Sequence, residues 1–122
     1  MDDWKAAGAA SDGKADTGKV RMSLLMTQFA DALEDVAGVL TFGAEKYPKP
    51  PLDDSWKDVP NGIVRYQDAF YRHAAKCFHD GELMDPESKR HHISHMICNL
   101  LFLRKLLDSG VENPYVETLD VQ

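Results

Sequence analysis

The 122-residue sequence contains no run of about 18 apolar residues, the length a membrane-crossing helix needs. Its opening, MDDWKAAGAASDGKADTGK, begins acidic and holds no apolar stretch, so no secretory signal is expected. Cysteine is scarce. Cys77 and Cys98 lie in apolar helical segments, which suits buried free thiols in a cytoplasmic protein better than a disulfide. Alternating β-branched runs, internal repeats and low-complexity tracts are missing, which argues against a sheet or a solenoid. Positive charge is in deficit, 14 Lys and Arg against 20 Asp and Glu, for a net charge of −6. That balance argues against nonspecific nucleic-acid binding, which needs a basic field. It leaves phosphate compounds open, provided that divalent ions stand between them and the carboxylates. No P-loop, GxGxxG, HExxH or nucleophile elbow occurs.

What is present is helical periodicity. Residues 1–18, rich in Ala, Gly, Asp and Lys, form a candidate flexible arm, and residues 19–122 a single domain. The segment KVRMSLL leads into a first helix over Thr27 to Tyr47, with an apolar stripe of Leu33, Val36, Ala37, Leu40, Ala44 and Tyr47. Four prolines then make Tyr47 to Gly62 a long surface loop. A second helix is predicted from Ile63 to Asp80, stopped by Gly81, with Tyr66, Phe70, His73 and Cys77 on one face. The third helix is predicted to start at an Asp85 cap followed by Pro86 and to end at Ser109-Gly110. Its core stripe would be Met96, Leu100, Leu103, Leu106 and Leu107. The tail from Val111 would add a short docked piece. The expected fold class is all-α, a bundle of three long helices plus short pieces.

One helix raises a chemical question. In DPESKRHHISHMICNLLF, residues His92, His95 and Asn99 fall on the same side as Met96 and Leu103. His73 sits likewise among the apolar residues of the second helix, and Glu34 flanks the stripe of the first. Each alone resembles a hydrogen-bonded core residue. Together they aim ionisable groups from three helices at one interior, and burying them unpaired costs several kcal/mol. A binding site resolves the conflict. Glu34, Glu82, Asp85 and Glu87 are hard oxygen ligands suited to Mg²⁺ or Mn²⁺, and histidine widens the choice to Co²⁺. Asp85 serves equally well as a helix cap. Lys19, Arg21, Lys46, Arg72 and Lys76 are cations able to receive phosphate oxygens, and Trp56, in the long loop, is placed to stack on a base. Carboxylates, metals and cations in a helical bundle suit attack of metal-activated water on a polyphosphate.

Five blocks in order, GKVRMSLL, LEDVAGVLTFGAEKY, RYQDAFYRH, GELMDPES and HISHMICNLLFL, resemble the MazZ-type dATP/dGTP diphosphohydrolases. These are phage-encoded relatives of the MazG-like all-α nucleoside triphosphate pyrophosphohydrolases. The resemblance covers about Gly18 to Leu107. It implies an oligomer, a homodimer or homotetramer, that cleaves dGTP and dATP to the monophosphate and pyrophosphate, and a role in supplying 2-aminoadenine genomes. It also implies that Glu34 opens the EExxE metal motif, whose third acid is replaced by Gly38, and that Lys19 and Arg21 bind phosphate. The ExxD motif has two candidate counterparts, Arg65-x-x-Asp68 and His92-x-x-His95, which adds Asp68 to the candidate metal ligands. Ser55-Trp56 stands for the family's Asn-Trp, and Lys89 for a common Gly. His73 or His95 would orient the attacking water, His92 and Asn99 would contact the nucleotide, and Arg21 and Arg72 would stabilise the leaving pyrophosphate. Two other readings compete. One is a metal-dependent phosphohydrolase releasing phosphate or triphosphate; the other is a non-catalytic helical interaction protein, with a structural zinc on His92, His95 and cysteine in one version.

Overall fold

The computed structural model describes residues 15–114. The described residues are all-α: four helices, and no β pairing beyond a single bridge between Met84 and His91. They divide at Ala30 into two compact units. The first holds helix α1, Met22–Gln28, in which no residue is buried. Most of the predicted arm and the tail beyond Pro114 lie outside the described residues.

The second unit carries three helices: α2 (Ala30–Lys46), α3 (Gly62–Ala74, continued by a π turn, Ala75–His79) and α4 (His92–Asp108). The predicted first helix, Thr27 to Tyr47, is α2, and the segment leading into it forms the separate helix α1. The chain leaves helical geometry at Phe29 (φ −127°, ψ 22°) between α1 and α2. The loop expected after Tyr47 is present, with a 3-10 turn at Ser55–Asp58. Helix α4 ends as its sequence suggests. Gly110 takes φ 85°, its N–H donates to Leu107 O, and Val111 N–H reaches back to Leu106 O, the two bonds of a Schellman cap.

The start of α4 corrects the sequence reading by six residues, the cap moving from Asp85 to His91. Asp85 does behave as a cap, its Oδ2 accepting from Ser88 N–H at 2.8 Å, but the turn it opens stops at once because Lys89 sits at φ 63°. Left-handed backbone suits glycine, which explains a position where the resembled family favours Gly. The chain then doubles back. Asp85 N–H donates to Arg90 O and His92 N–H to Leu83 O, both at 2.8 Å, and α4 begins only after this hairpin. His91 is its N-cap, with Nδ1 accepting from Ile93 N–H at 3.0 Å.

Helices α3 and α4 pack antiparallel, Gly62 lying close to Leu106 and His73 meeting His92. Added bulk at Gly62 would press on the Leu106 side chain, 3.1 Å from a would-be Cβ. Helix α2 meets α4 through side chains: Val36 and Val39 pack on Cys98, Ile97 and Phe102, and the Cys98 thiol donates to Val36 O at 3.5 Å. Both cysteines are buried and free, as expected. The predicted stripes hold only in part. Val36, Met96 and Leu106 are buried, but Leu40, Tyr47, Leu100 and Leu107 are exposed. Val39, absent from the predicted stripe, is in the core, so the buried face of α2 is rotated from the one predicted.

That rotation promotes Asp35 over Glu34. Asp35 accepts from Ser94 Oγ (2.6 Å), His91 N–H (3.2 Å) and Arg90 Nη1 (3.3 Å), whereas Glu34 is exposed. The Ser94 hydroxyl, against the opposing effect of burial, and then the His91 N–H and Arg90 hold its carboxyl below the usual range. Gly38 makes room for this contact, since a side chain there would run into the Arg90 guanidinium. Asp35→Ala should therefore cost about 2 kcal/mol, the loss of charge-assisted bonds around a half-buried carboxylate, whereas Glu34→Ala should stay within about 0.5 kcal/mol. Urea unfolding of the two variants distinguishes the acids. Equal destabilisation would contradict this assignment.

Candidate functional site

The C-terminal half of α2, the loop after it, and the facing sides of α3 and α4 enclose an open cleft of about 1170 Å³. Its apolar wall is aromatic. Trp56 stacks on Phe102 with centroids 5.2 Å apart and planes 17° apart, and Tyr66 leans on the same ring at 4.9 Å. Tyr66 Oη donates to Trp56 O at 2.7 Å, pinning the loop to α3. Burial pushes the Tyr66 phenol up to about 12, so it stays a donor. The polar wall carries Lys46, Arg65, Asp68, Arg72, His95 and Asn99. Asn99, largely buried, is among the residues that line the cleft.

His95 connects this cleft to a second, tighter arrangement. Its ring stacks on His73, centroids 4.4 Å apart and planes 10° apart. Its Nε2 meets Ser88 Oγ at 2.6 Å, and Ser88 Oγ also accepts from Arg90 N–H. The hydroxyl thus ties the His95 ring to the hairpin. His73 Nδ1 in turn meets Nδ1 of His92 at 2.8 Å. His92 is 2% exposed, and its Nε2 has no hydrogen-bond partner; the nearest acid, Glu82 Oε1, is 3.6 Å away. One ligand atom each from His73, Asp85 and His92 lies within 4.8 Å of the others, the donor set of a metal site.

Electrostatics favour the neutral form of His73 and of His95. Burial, followed by the neighbouring His95 and His92, lowers His73 to about 4. Burial also lowers His95, with Asp85 partly opposing it. Burial acts to raise Asp85, but the hydrogen bonds from the Ser88 backbone and side chain, and the nearby rings, leave it below the ordinary carboxylate range. Deprotonated imidazoles beside an ionised carboxylate are the form a metal ion requires.

Of the residues singled out in the sequence, His73, His92, His95, Asp85 and Glu82 come together, and Lys46, Trp56, Asp68, Arg72 and Asn99 line or close the cleft. Asp68 is exposed on the cleft wall rather than in the metal-competent cluster. Glu87 points to Lys46 at 3.0 Å. Glu34 joins neither arrangement, and Lys19 and Arg21 are exposed in the N-terminal unit. The zinc version with cysteine fails on geometry: Cys98 is engaged with Val36 O, and burial raises its thiol to about 11. Sequence reasoning missed Asp35, Ser88, Arg90, Tyr66 and Phe102. The i,i+4 relation of Asp35 to Val39 was the available signal for the first.

The second unit is thus all-α, with an aromatic-and-cationic cleft beside a His/Asp cluster. The chain belongs to the dATP/dGTP diphosphohydrolase, N-terminal family, whose sequence model matches residues 9–114. No curated protein and no solved structure matches it significantly.

The depressed His73 fixes a pH dependence. The unfolded chain titrates this group near 6.5, the folded chain near 4, so between those values the unfolded state binds more protons. Its contribution is complete above about pH 6.5, fades as pH falls towards 4 and changes no further below. About 2 kcal/mol should be lost across that window, partial exposure reducing the full linkage value. Urea midpoints of chelator-treated protein between pH 7 and 4, compared with His73→Gln, measure it; equal slopes for the two proteins would contradict the assignment.

Proposed function

We propose that the protein is a divalent-metal-dependent purine deoxynucleoside triphosphate diphosphohydrolase, cleaving dGTP and dATP to monophosphate and pyrophosphate. Family membership supports the substrate class. The observation that carries the reading is continuity through His95, which lines the cleft on one side and stacks on the metal-competent His73 on the other. In this reading the base stacks on the Trp56–Phe102 wall, with the Asn99 amide offering both a donor and an acceptor to its edge. Lys46, Arg65 and Arg72 receive the phosphates, and Arg72, one residue from His73, bears the charge that develops on the leaving pyrophosphate. A divalent ion held by His73, Asp85 and His92, with Glu82 beside them, would supply charge neutralisation and an activated water. At a pKa of about 4, His73 serves better as a ligand than as a base. His95, fixed by Ser88, is placed to orient the water. Monophosphate production would shape a purine deoxynucleotide pool, including the one feeding 2-aminoadenine synthesis.

Turnover of dGTP, dATP, GTP and dTTP with Mg²⁺, Mn²⁺ or Co²⁺, with separation of products, tests the reading. dGTP and dATP should give monophosphate plus pyrophosphate, and Arg72→Ala should lower kcat/KM by about 100-fold, the scale of a lost charge-stabilising group. Release of triphosphate, or no turnover with any metal, would overturn it.

We also propose that the working form is a homo-oligomer. The exposed apolar side chains of Tyr71, Phe78, Leu83, Met84, Leu100 and Leu101 support this reading as candidates for a subunit contact. Light scattering on the purified protein should give a mass at least twice that of one chain. A monomer at micromolar concentration would reject it.

A further inference from the structure

We infer that His73, His92 and Asp85 form a resident site for one divalent ion of the manganese-to-zinc series, filled by the chain before any nucleotide arrives. Three segments converge there: the last turn of α3 gives His73, the hairpin gives Asp85 and the first residue of α4 gives His92. Their ligand atoms lie within 4.8 Å of one another without help from a substrate.

The histidine pair carries the argument. The two Nδ1 atoms are 2.8 Å apart. Two nitrogens bound at right angles to one ion, each about 2.1 Å from it, stand about 3.0 Å apart. The ion thus takes the place of the proton that links the rings. Both rings then carry their proton on Nε2: the ring that donated through Nδ1 shifts its proton to Nε2, and no proton is gained or lost by the pair. That shift explains the unpaired, fully buried Nε2 of His92. As an N–H it faces Glu82 Oε1, 3.6 Å away, the outer carboxylate that typically orients a metal-bound histidine. His95 stays outside the ligand set. Its Nε2 is occupied by Ser88, and its ring holds the plane of His73 by stacking.

The donor types set the metal. Two imidazole nitrogens and one carboxylate suit borderline ions, whereas Mg²⁺ prefers all-oxygen surroundings and keeps much of its water. The inference rests on the metal-dependent reading proposed above and deepens it, but ion binding is measurable with no nucleotide present, so its failure and failure of the substrate reading are separate results.

Chelator-treated full-length protein, titrated with Co²⁺ and followed by visible absorption and calorimetry, tests the inference. Wild type should bind one Co²⁺ per chain with a visible ligand-field band, and a large excess of Mg²⁺ should not displace it. His73→Gln should abolish the band. Asp85→Asn, which retains an oxygen for the Ser88 turn, and Glu82→Gln should each weaken binding by about 10- to 100-fold. Helical circular dichroism shows which variants fold, and Asp85→Asn and Glu82→Gln decide the matter should His73→Gln not fold. Absence of the band in wild type, displacement by equimolar Mg²⁺, or unchanged affinity in the folded variants would overturn the inference.

Discussion

The interior of this protein depends on one carboxylate. Asp35 on α2 takes a backbone N–H, a hydroxyl and a guanidinium from residues 90–94, all at or just before the start of α4. Those bonds fix where the hairpin ends and where α4 begins. The first residues of α4 are the chemical ones: His92 and His95 owe their positions to a helix start that is held from outside the helix. Gly38 belongs to the same device, because its missing side chain leaves room for the Arg90 guanidinium. The glycine at a position where the sequence resemblance implies an acid thus has a structural reason.

Secondary structure was largely legible, since apolar residues at helical spacing and Gly or Pro punctuation are local signals. The loop from Tyr47, the Gly81 stop and the Gly110 cap all arise from such signals. The start of α4 was not legible, for an instructive reason. Asp85-Pro86-Glu87-Ser88 has the chemistry of a helix cap and does form the capping bond. The path of the chain beyond Ser88, however, depends on the left-handed Lys89 and on cross-hairpin bonds to Leu83 and Arg90. Those partners are distant in pattern, though not in sequence. The break at Phe29 likewise carries no Gly or Pro to announce it.

The candidate site was half legible. Histidines on an apolar face are conspicuous, and His73, His92 and His95 do meet. The carboxylate that accompanies the helices was harder to choose. Glu34 and Asp35 are adjacent, and only the rotation of α2 that buries Val39 selects between them. The aromatic wall depends on Phe102 meeting Trp56 across more than forty residues, a pairing that helical spacing does not encode.

A structure whose centre is polar has an unusual relation to its own lifetime. Among the described residues only seven apolar side chains are buried, and two of these are cysteines. Such a core gives a modest margin of stability, to which an ion bound by the neighbouring rings and carboxylates in the native state and not in the unfolded one would add. An ion held there, as proposed, would therefore slow loss of the protein as well as enable its chemistry. Abundance in a cell would then track supply of the occupant, because the vacant chain is the form that proteases reach first.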